Sequence, residues 1–245
     1  MQIGLYQSAA SLSALERWQD AVSQNISSSQ VSGYRKRTVE FATTNDGQIR
    51  SDTRAGESIA AQFPTTSVGI NFQKGELQAT RRELDAGLQT DGFFEVQRED
   101  GTKAYTRNGE FHIRPDRTLV TGDGMAVLST GGNPITLLPE GGTVTINQDG
   151  TIVQGSTALG KLSVVDFPEV GALMPAGGGL FTAVNGATGE PVQDAVVLQG
   201  HLEGSNVVPL REMVDLVLIS RAYEASQRVT STLDQQIEKT LNALG

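Results

Sequence analysis

Residues Ser205 to Gly245 read SNVVPLREMVDLVLISRAYEASQRVTSTLDQQIEKTLNALG, and the fold of the chain turns on this stretch. After Pro209 no glycine or proline appears until the final residue, so nothing in the backbone chemistry interrupts a helix. Ser205 or Asn206 stands where a cap is needed, and Pro209 falls in the first turn, where a missing N–H does no harm. Leu218, Ala222, Ala225, Val229, Leu233, Ile237, Leu241 and Leu244 recur at steps of three and four, one apolar stripe along the helix. At 1.5 Å per residue such a helix runs for about 50 Å or more. A pattern of that length points to a coiled coil or a helical assembly, so the helix needs partners.

The other end of the chain has the same character. Leu5, Leu12, Leu15, Trp18 or Gln19, Val22 and Ile26 mark an amphipathic helix over roughly residues 3 to 30, with Ser8, Ser11, Glu16, Arg17, Asp20 and Gln24 on its polar face. Ser27-Ser28-Ser29-Gln30 and then Gly33 end it. Two long one-sided helices at opposite ends are expected to pair with each other or with neighbours.

From Tyr34 to about Ile70 periodicity is poor and polar residues dominate, which predicts an extended arm or linker. From Phe72 onward, short β-branched and aromatic runs alternate with Asp91-Gly92, Asp100-Gly101, Asn108-Gly109, Asp123-Gly124 and Asp149-Gly150. Such dipeptides between apolar runs predict hairpins, through turns with positive φ at both central residues. Strands are expected near Phe93–Gln97, Ala104–Thr106, Glu110–Ile113, Thr118–Val120, Met125–Leu128, Ile135–Leu137, Val144–Ile146, Thr151–Val153, Leu162–Phe167, Leu180–Thr182 and Val196–Leu202. The predicted class is α+β. Terminal amphipathic helices (1–33 and 204–245) form a helical module, an arm (34–71) follows the first, and an antiparallel β-rich body (72–203), barrel or sandwich-like, is inserted between them.

A formal charge of −9 and a pI near 4.8 argue against nucleic-acid binding, which needs a basic face. The chain has no cysteine, hence no disulfide and no thiolate metal site. No run approaches the length of a membrane span. The N-terminal stretch lacks a basic leader, and Glu16, Arg17 and Asp20 interrupt any apolar leader core, so no cleaved signal peptide is expected. His112 and His201 are the only histidines, and neither belongs to a zinc-binding constellation. Gly122-x-Gly124 and Gly177-Gly178-Gly179 open no phosphate-binding helix, and Ser205 lacks a nucleophile elbow. Asp85 and Asp91 are the carboxylates nearest to a hydrolytic pair, yet Asp91 stands in a turn. No catalytic, cofactor-binding or metal residue is expected. The function expected is self-assembly.

Gln24-Asn25-Ile26, then Gly33-Tyr34-Arg35-Lys36-Arg37 and Phe41, resemble the N-terminal signature of bacterial flagellar rod and hook proteins, N-N-L-A-N-x-x-T-x-G-[FY]-K-R. Gln24 replaces its first Asn, Ser28 the later Asn, and Val31-Ser32 the usual Thr-Pro. Leu88-Gln89-Thr90-Asp91-Gly92-Phe93-Phe94 is similar to the family's L-x-G-D-G-F-F, and Tyr105 to Phe111 to its Y-T-R-x-G-x-F. Gly200 to Val207 is similar to G-x-L-E-x-S-N-V, with Glu212-Met213-Val214 and Arg221-Ala222-Tyr223-Glu224 following inside the helix. The resemblance implies a subunit of the flagellar basal-body rod, in the proximal rod given the short arm between Phe41 and Phe72. It implies copies of the chain and other rod subunits as partners, and export through the flagellar type III apparatus. The assembly interface expected comprises Leu5, Leu12, Leu15, Val22, Asn25 and Ile26 with Leu218, Ala222, Tyr223, Ala225, Val229, Leu233, Ile237 and Leu241. Asp91, Gly92, Asn108, Gly109, Asp123 and Gly124 are expected as structural turns. A distal-rod or hook subunit, a β-rich surface or phage-tail module, and a carboxylate hydrolase are the alternatives.

Overall fold

The computed structural model describes residues 2–50, 58–184 and 186–244, with side chains for all of these but 2–5, 44–50, 58–63, Val170, Ile237, Leu241, Ala243 and Leu244. The class is α+β, and the chain divides into two compact units. The helical unit gathers Met1–Ser27, Arg37–Asn71 and Val208–Gly245, and the β unit gathers Ser28–Lys36 with Phe72–Val207.

In the helical unit, α1 runs over Gln2–Ser27 and α2 over Pro209–Leu244. Pro209 takes the first helical position as expected. The residue at the cap position, however, is Val208, whose carbonyl accepts from Arg211 and Glu212 N–H. Asn206 spends its side chain elsewhere, on Lys36 N–H and Gln73 O. Between the helices in sequence, β1 (Arg37–Arg50) and β2 (Ser58–Ile70) form an antiparallel ribbon whose register runs from Arg37 opposite Ile70 to Arg50 opposite Ser58. The ribbon packs on α1, where the Trp18 and Phe41 rings meet edge to face at 5.6 Å and Arg17 donates to Thr66 O.

The β unit is built around Phe93–Gln97, a strand of a nine-stranded sheet. It pairs antiparallel with Lys103–Thr106, and with Ala126–Val127 and Val164–Asp166 along its other side. Both faces of this strand are covered. Phe94 and Val96 enter a core with Phe111, Leu119, Ile135, Ile152, Leu162 and Val197, while Phe93 joins Phe72, Phe167 and Phe181. A three-stranded sheet (Val144–Ile146, Thr151–Gln154, Thr157–Lys161) supplies Ile146 and Ile152 to the same core. Ile135–Leu137 forms no strand, but both residues are buried and their backbone groups bond to Leu119, Val127 and Arg117.

The turns differ from the expected type. Among the described residues only Arg81 and Arg117 combine a side chain with positive φ, so no Asp or Asn of the five dipeptides does. Asp100-Gly101, Asp123-Gly124 and Asp149-Gly150 instead close three-residue hairpin loops in which only the glycine is left-handed. Asp91-Gly92 and Asn108-Gly109 join strands that do not pair with each other. A Cβ at Gly109 would lie 1.7 Å from Ala86 O, so close approach is what requires that glycine.

Candidate functional site, the helix pair and two polar clasps

Helices α1 and α2 pack antiparallel. Asn25 near the end of α1 bonds Glu212 in the first turn of α2, and Ser8 and Ser11 lie beside Ala225, Ser226, Val229 and Leu233 farther along. Among the described residues the side chains buried in this unit are Ala14, Ala21, Val22, Asn25, Glu212 and Ile219, half of them alanine or valine. Small residues let two helix backbones approach closely. The polar pair at the closed end is satisfied within the unit. Asn25 donates to Glu212 at 2.9 Å and to Arg37 O at 2.9 Å, and accepts from Arg37 N–H at 2.8 Å. Glu212 in the first turn also suits the positive end of the helix dipole.

The face of α2 turned to α1 is not the apolar stripe read from the sequence. It runs through Glu212, Leu216, Ile219, Tyr223, Ser226 and Thr230, all buried or half-buried. Of the expected interface residues, Val22 and Asn25 are buried, and Leu12, Leu15, Ile26, Ala222, Tyr223 and Leu233 are half-buried. Leu218, Ala225 and Val229 are exposed. The side chains of Leu5, Ile237 and Leu241 lie outside the described residues. Ser226 and Thr230 carry no hydrophobic signal, so periodicity misses this face; Thr230 meets its own need by donating to Ser226 O.

A second clasp lies in the β unit. Glu203, 1% exposed, accepts from Arg35 at 2.6 Å, Arg107 at 3.0 Å and Gly75 N–H at 2.8 Å, while its own carbonyl accepts from Gly33 N–H. Burial pulls the Arg107 guanidinium below its usual range, and the Glu203 charge opposes that shift. Arg107 also donates to Leu88 O and Thr90 O and lies over the Phe93 ring. Arg35 is therefore a buried partner of a carboxylate far along the chain. Asn206 completes the arrangement, fixing Lys36 N–H and Gln73 O.

The candidates for chemistry are dispersed. Asp85 is buried and holds Thr80 and Arg82, whereas Asp91 is exposed and pairs with Lys74. His112 is exposed beside Arg82, and His201 meets Gln199 O. Among the described residues no group of three His, Asp or Glu could hold a metal ion, and no helix is long and apolar enough to cross a membrane.

Residues 87–154 match the flagellar hook protein FlgE/F/G D1 domain, and residues 198–243 match the flagellar basal body rod FlgEFG protein C-terminal family. The chain is 32% identical to the flagellar basal-body rod protein FlgF of Caulobacter vibrioides, over all of this chain and 99% of that one. It is 30% identical to FlgF of Rhizobium meliloti over 100% and 99% of the two chains. It is 29% identical to the rod protein FlgG of Agrobacterium fabrum, over 88% and 89%.

Proposed function

The chain belongs to the flagellar basal-body rod family and is a structural subunit of the rod rather than an enzyme, and on that premise we propose how it is built into place. The terminal helices are the assembly module, and the interface lies along Leu12, Leu15, Val22 and Ile26 of α1 and Leu218, Ala222, Ala225, Val229 and Leu233 of α2. The observation that carries this reading is that one chain covers only one face of α2. Ile219 is buried against α1, while its neighbour Leu218 and, farther on, Val229 stay half exposed or more. Exposed apolar side chains at helical spacing are what a lattice of helices covers.

The same reading divides the chain into terminal segments at 1–33 and 204–245, helical over Gln2–Ser27 and Pro209–Leu244, an arm at 34–71 and a body at 72–203, with the body's sheets wrapped in a barrel-like manner about one core. The short segment between Phe41 and Phe72 favours the proximal rod. Family membership favours export through the flagellar type III apparatus; loss of the Tyr6–Ser27 segment from chains purified out of basal bodies would refute that route.

Charge substitution tests the interface. A charge buried unpaired in a repeating contact costs several kcal/mol at every copy, by rough estimate. Leu233→Asp and Ala225→Asp are expected to abolish motility and incorporation into basal bodies, with β content by circular dichroism unchanged. Gln227→Asp is expected to be tolerated. Complete rods in the first two variants would sink the interface assignment.

A further inference from the structure

We infer that Ser28–Lys36 is a strap that lifts off a β body which stays folded without it, and that Arg35 keeps it releasable. The strap joins α1 to β1 in sequence but packs with the β unit. Its attachments converge on Glu203 and Asn206. Gly33 N–H donates to Glu203 O at 2.7 Å, and Arg35 Nη2 donates to the Glu203 carboxylate at 2.6 Å. Lys36 N–H donates to Asn206 Oδ1 at 2.6 Å, and Asn206 N–H to Tyr34 O at 3.4 Å. Gly33 fixes the seat: its φ is 70°, and a Cβ there would lie 2.5 Å from Arg107 C and Asn108 N. The strap therefore has one closed position.

Charge makes that position unlike an ordinary buried ion pair. Within the body Arg107 already answers Glu203 at 3.0 Å, and its Nη groups also reach Leu88 O and Thr90 O. Arg35 brings a second cation to the same carboxylate, with its side chain 1% exposed. Its Nε and Nη1 meet no acceptor among the described residues, and a buried donor left unpaired costs the full loss of its water. Arg107 Nε shares that lack, but it stays in the body. Burial pulls the Arg107 guanidinium below its usual range, Glu203 opposes that shift, and the Arg35 charge adds to it. Removing one partner of a buried pair normally strands the charge of the other. Arg35 is the exception, because Glu203 keeps Arg107 and Gly75 N–H when the strap leaves. Water then takes up the surplus charge and its free N–H groups.

The strap also borders open space. Ser29, Gln30 and Ser32 line a cavity of about 420 Å³ whose other wall carries Glu76, Gln78 and Ser205. A cavity of that size with such polar groups takes water, so close packing does not hold the strap on this side. A segment pinned along one edge and hydrated along another opens locally, at lower free energy than the body around it. The stretch between the first helix and the ribbon thus has a seated and a released state over a body with one fold.

The test is amide exchange on the full chain, read residue by residue, for Gly33 and Lys36 in the strap and Glu95 in the body. Glu95 N–H donates to Ser163 O at 3.0 Å from the central strand, and it reports whether the body is folded. Gly33 and Lys36 are expected to exchange at least a hundredfold faster than Glu95. Urea below the unfolding range is expected to quicken Glu95 and leave both strap amides unchanged, because a local opening exposes little surface. Strap amides no faster than Glu95, or quickened by urea in step with it, would overturn the proposal, since the strap would then open only with the body. Arg35→Met removes the surplus charge and keeps a long side chain. It is expected to slow Gly33 exchange at least tenfold while Glu95 stays protected. Unchanged or faster Gly33 exchange would make Arg35 a clamp and sink its releasing role. Loss of protection at Glu95 in that variant would overturn the proposal as well, because the body would then depend on the strap.

Discussion

Glu203 answers two buried guanidinium groups with one carboxylate, so removing its charge leaves two cations away from water without the carboxylate they share. Breaking a buried ion pair from one side costs about 3–5 kcal/mol. Glu203→Gln is expected to lower the stability of the β unit by that much, read from the urea midpoint of its β circular dichroism. A loss under about 1 kcal/mol would mean that the guanidiniums find water or other acceptors. The hairpin loops make a gentler prediction. Asp116-Arg117-Thr118 repeats the bonding of Asp100-Gly101-Thr102 and Asp149-Gly150-Thr151, but puts an arginine with φ of 68° where the others have glycine. An L side chain there costs about 1 kcal/mol or slightly more, so Arg117→Gly is expected to stabilise by about that amount. In all three loops the carboxylate sits below its usual range, held by hydrogen bonds from the following threonine. A depressed folded value means stability that is present above the unfolded value near 3.9 and lost as pH falls through the folded one. Thermal scans are expected to show a loss confined to pH below about 4, reduced when all three aspartates are changed to asparagine.

At the scale of elements, the packed face of α2 rests on Ile219, the one fully buried apolar side chain among the described residues of that helix. Ile219→Ala removes most of that contact and is expected to cost about 2–5 kcal/mol in the helical unit. Amide exchange would then quicken in α1 and α2 while Phe93–Gln97 keeps its protection. Unchanged exchange in α1 would show that the polar clasp at Asn25 holds the pair by itself. Both helices are legible in the sequence because nothing in either run breaks one, and Pro209 marks where the second begins. Which face of α2 meets α1 is not legible. That face includes Glu212, Ser226 and Thr230, polar residues of which Glu212 accepts from Asn25 and Thr230 donates to a carbonyl of its own helix, while the most apolar turns point away. The ribbon escapes for a similar reason, since Thr43-Thr44-Asn45-Asp46-Gly47 has the composition of a loop and yet lies within β1. Strand interiors such as Phe93–Gln97 and Val144–Ile146 are legible from their apolar runs. The break in the run Val196–Leu202 is not, because it depends on Gly200 turning left-handed so that Val197–Gln199 and His201–Glu203 pair with different strands.

Over the whole molecule, two units with separate interiors predict two unfolding transitions rather than one. The chain supplies its own reporter for the first, since its single tryptophan, Trp18, lies against Phe41 in the helical unit. Tryptophan fluorescence in rising urea is expected to change well before the β circular dichroism does, because the helical unit buries few large side chains and the β unit has an extensive core. Coincident midpoints would show that the two units melt as one. The clasp at Asn206 bears on how such a protein can be altered by insertion and exchange. Its side chain bonds Gln73 O at 2.8 Å, so the long β segment enters and leaves at adjoining points. A segment with adjoining ends behaves as a cassette: it can be bridged by a short linker, or replaced by another domain whose termini also meet, without stretching the flanking chain. Lifted out as residues 72–207, it would leave Arg35 behind and keep Glu203 with Arg107 alone, one cation to one anion. The excised body would thus be better balanced in charge at its centre than the same body in its parent.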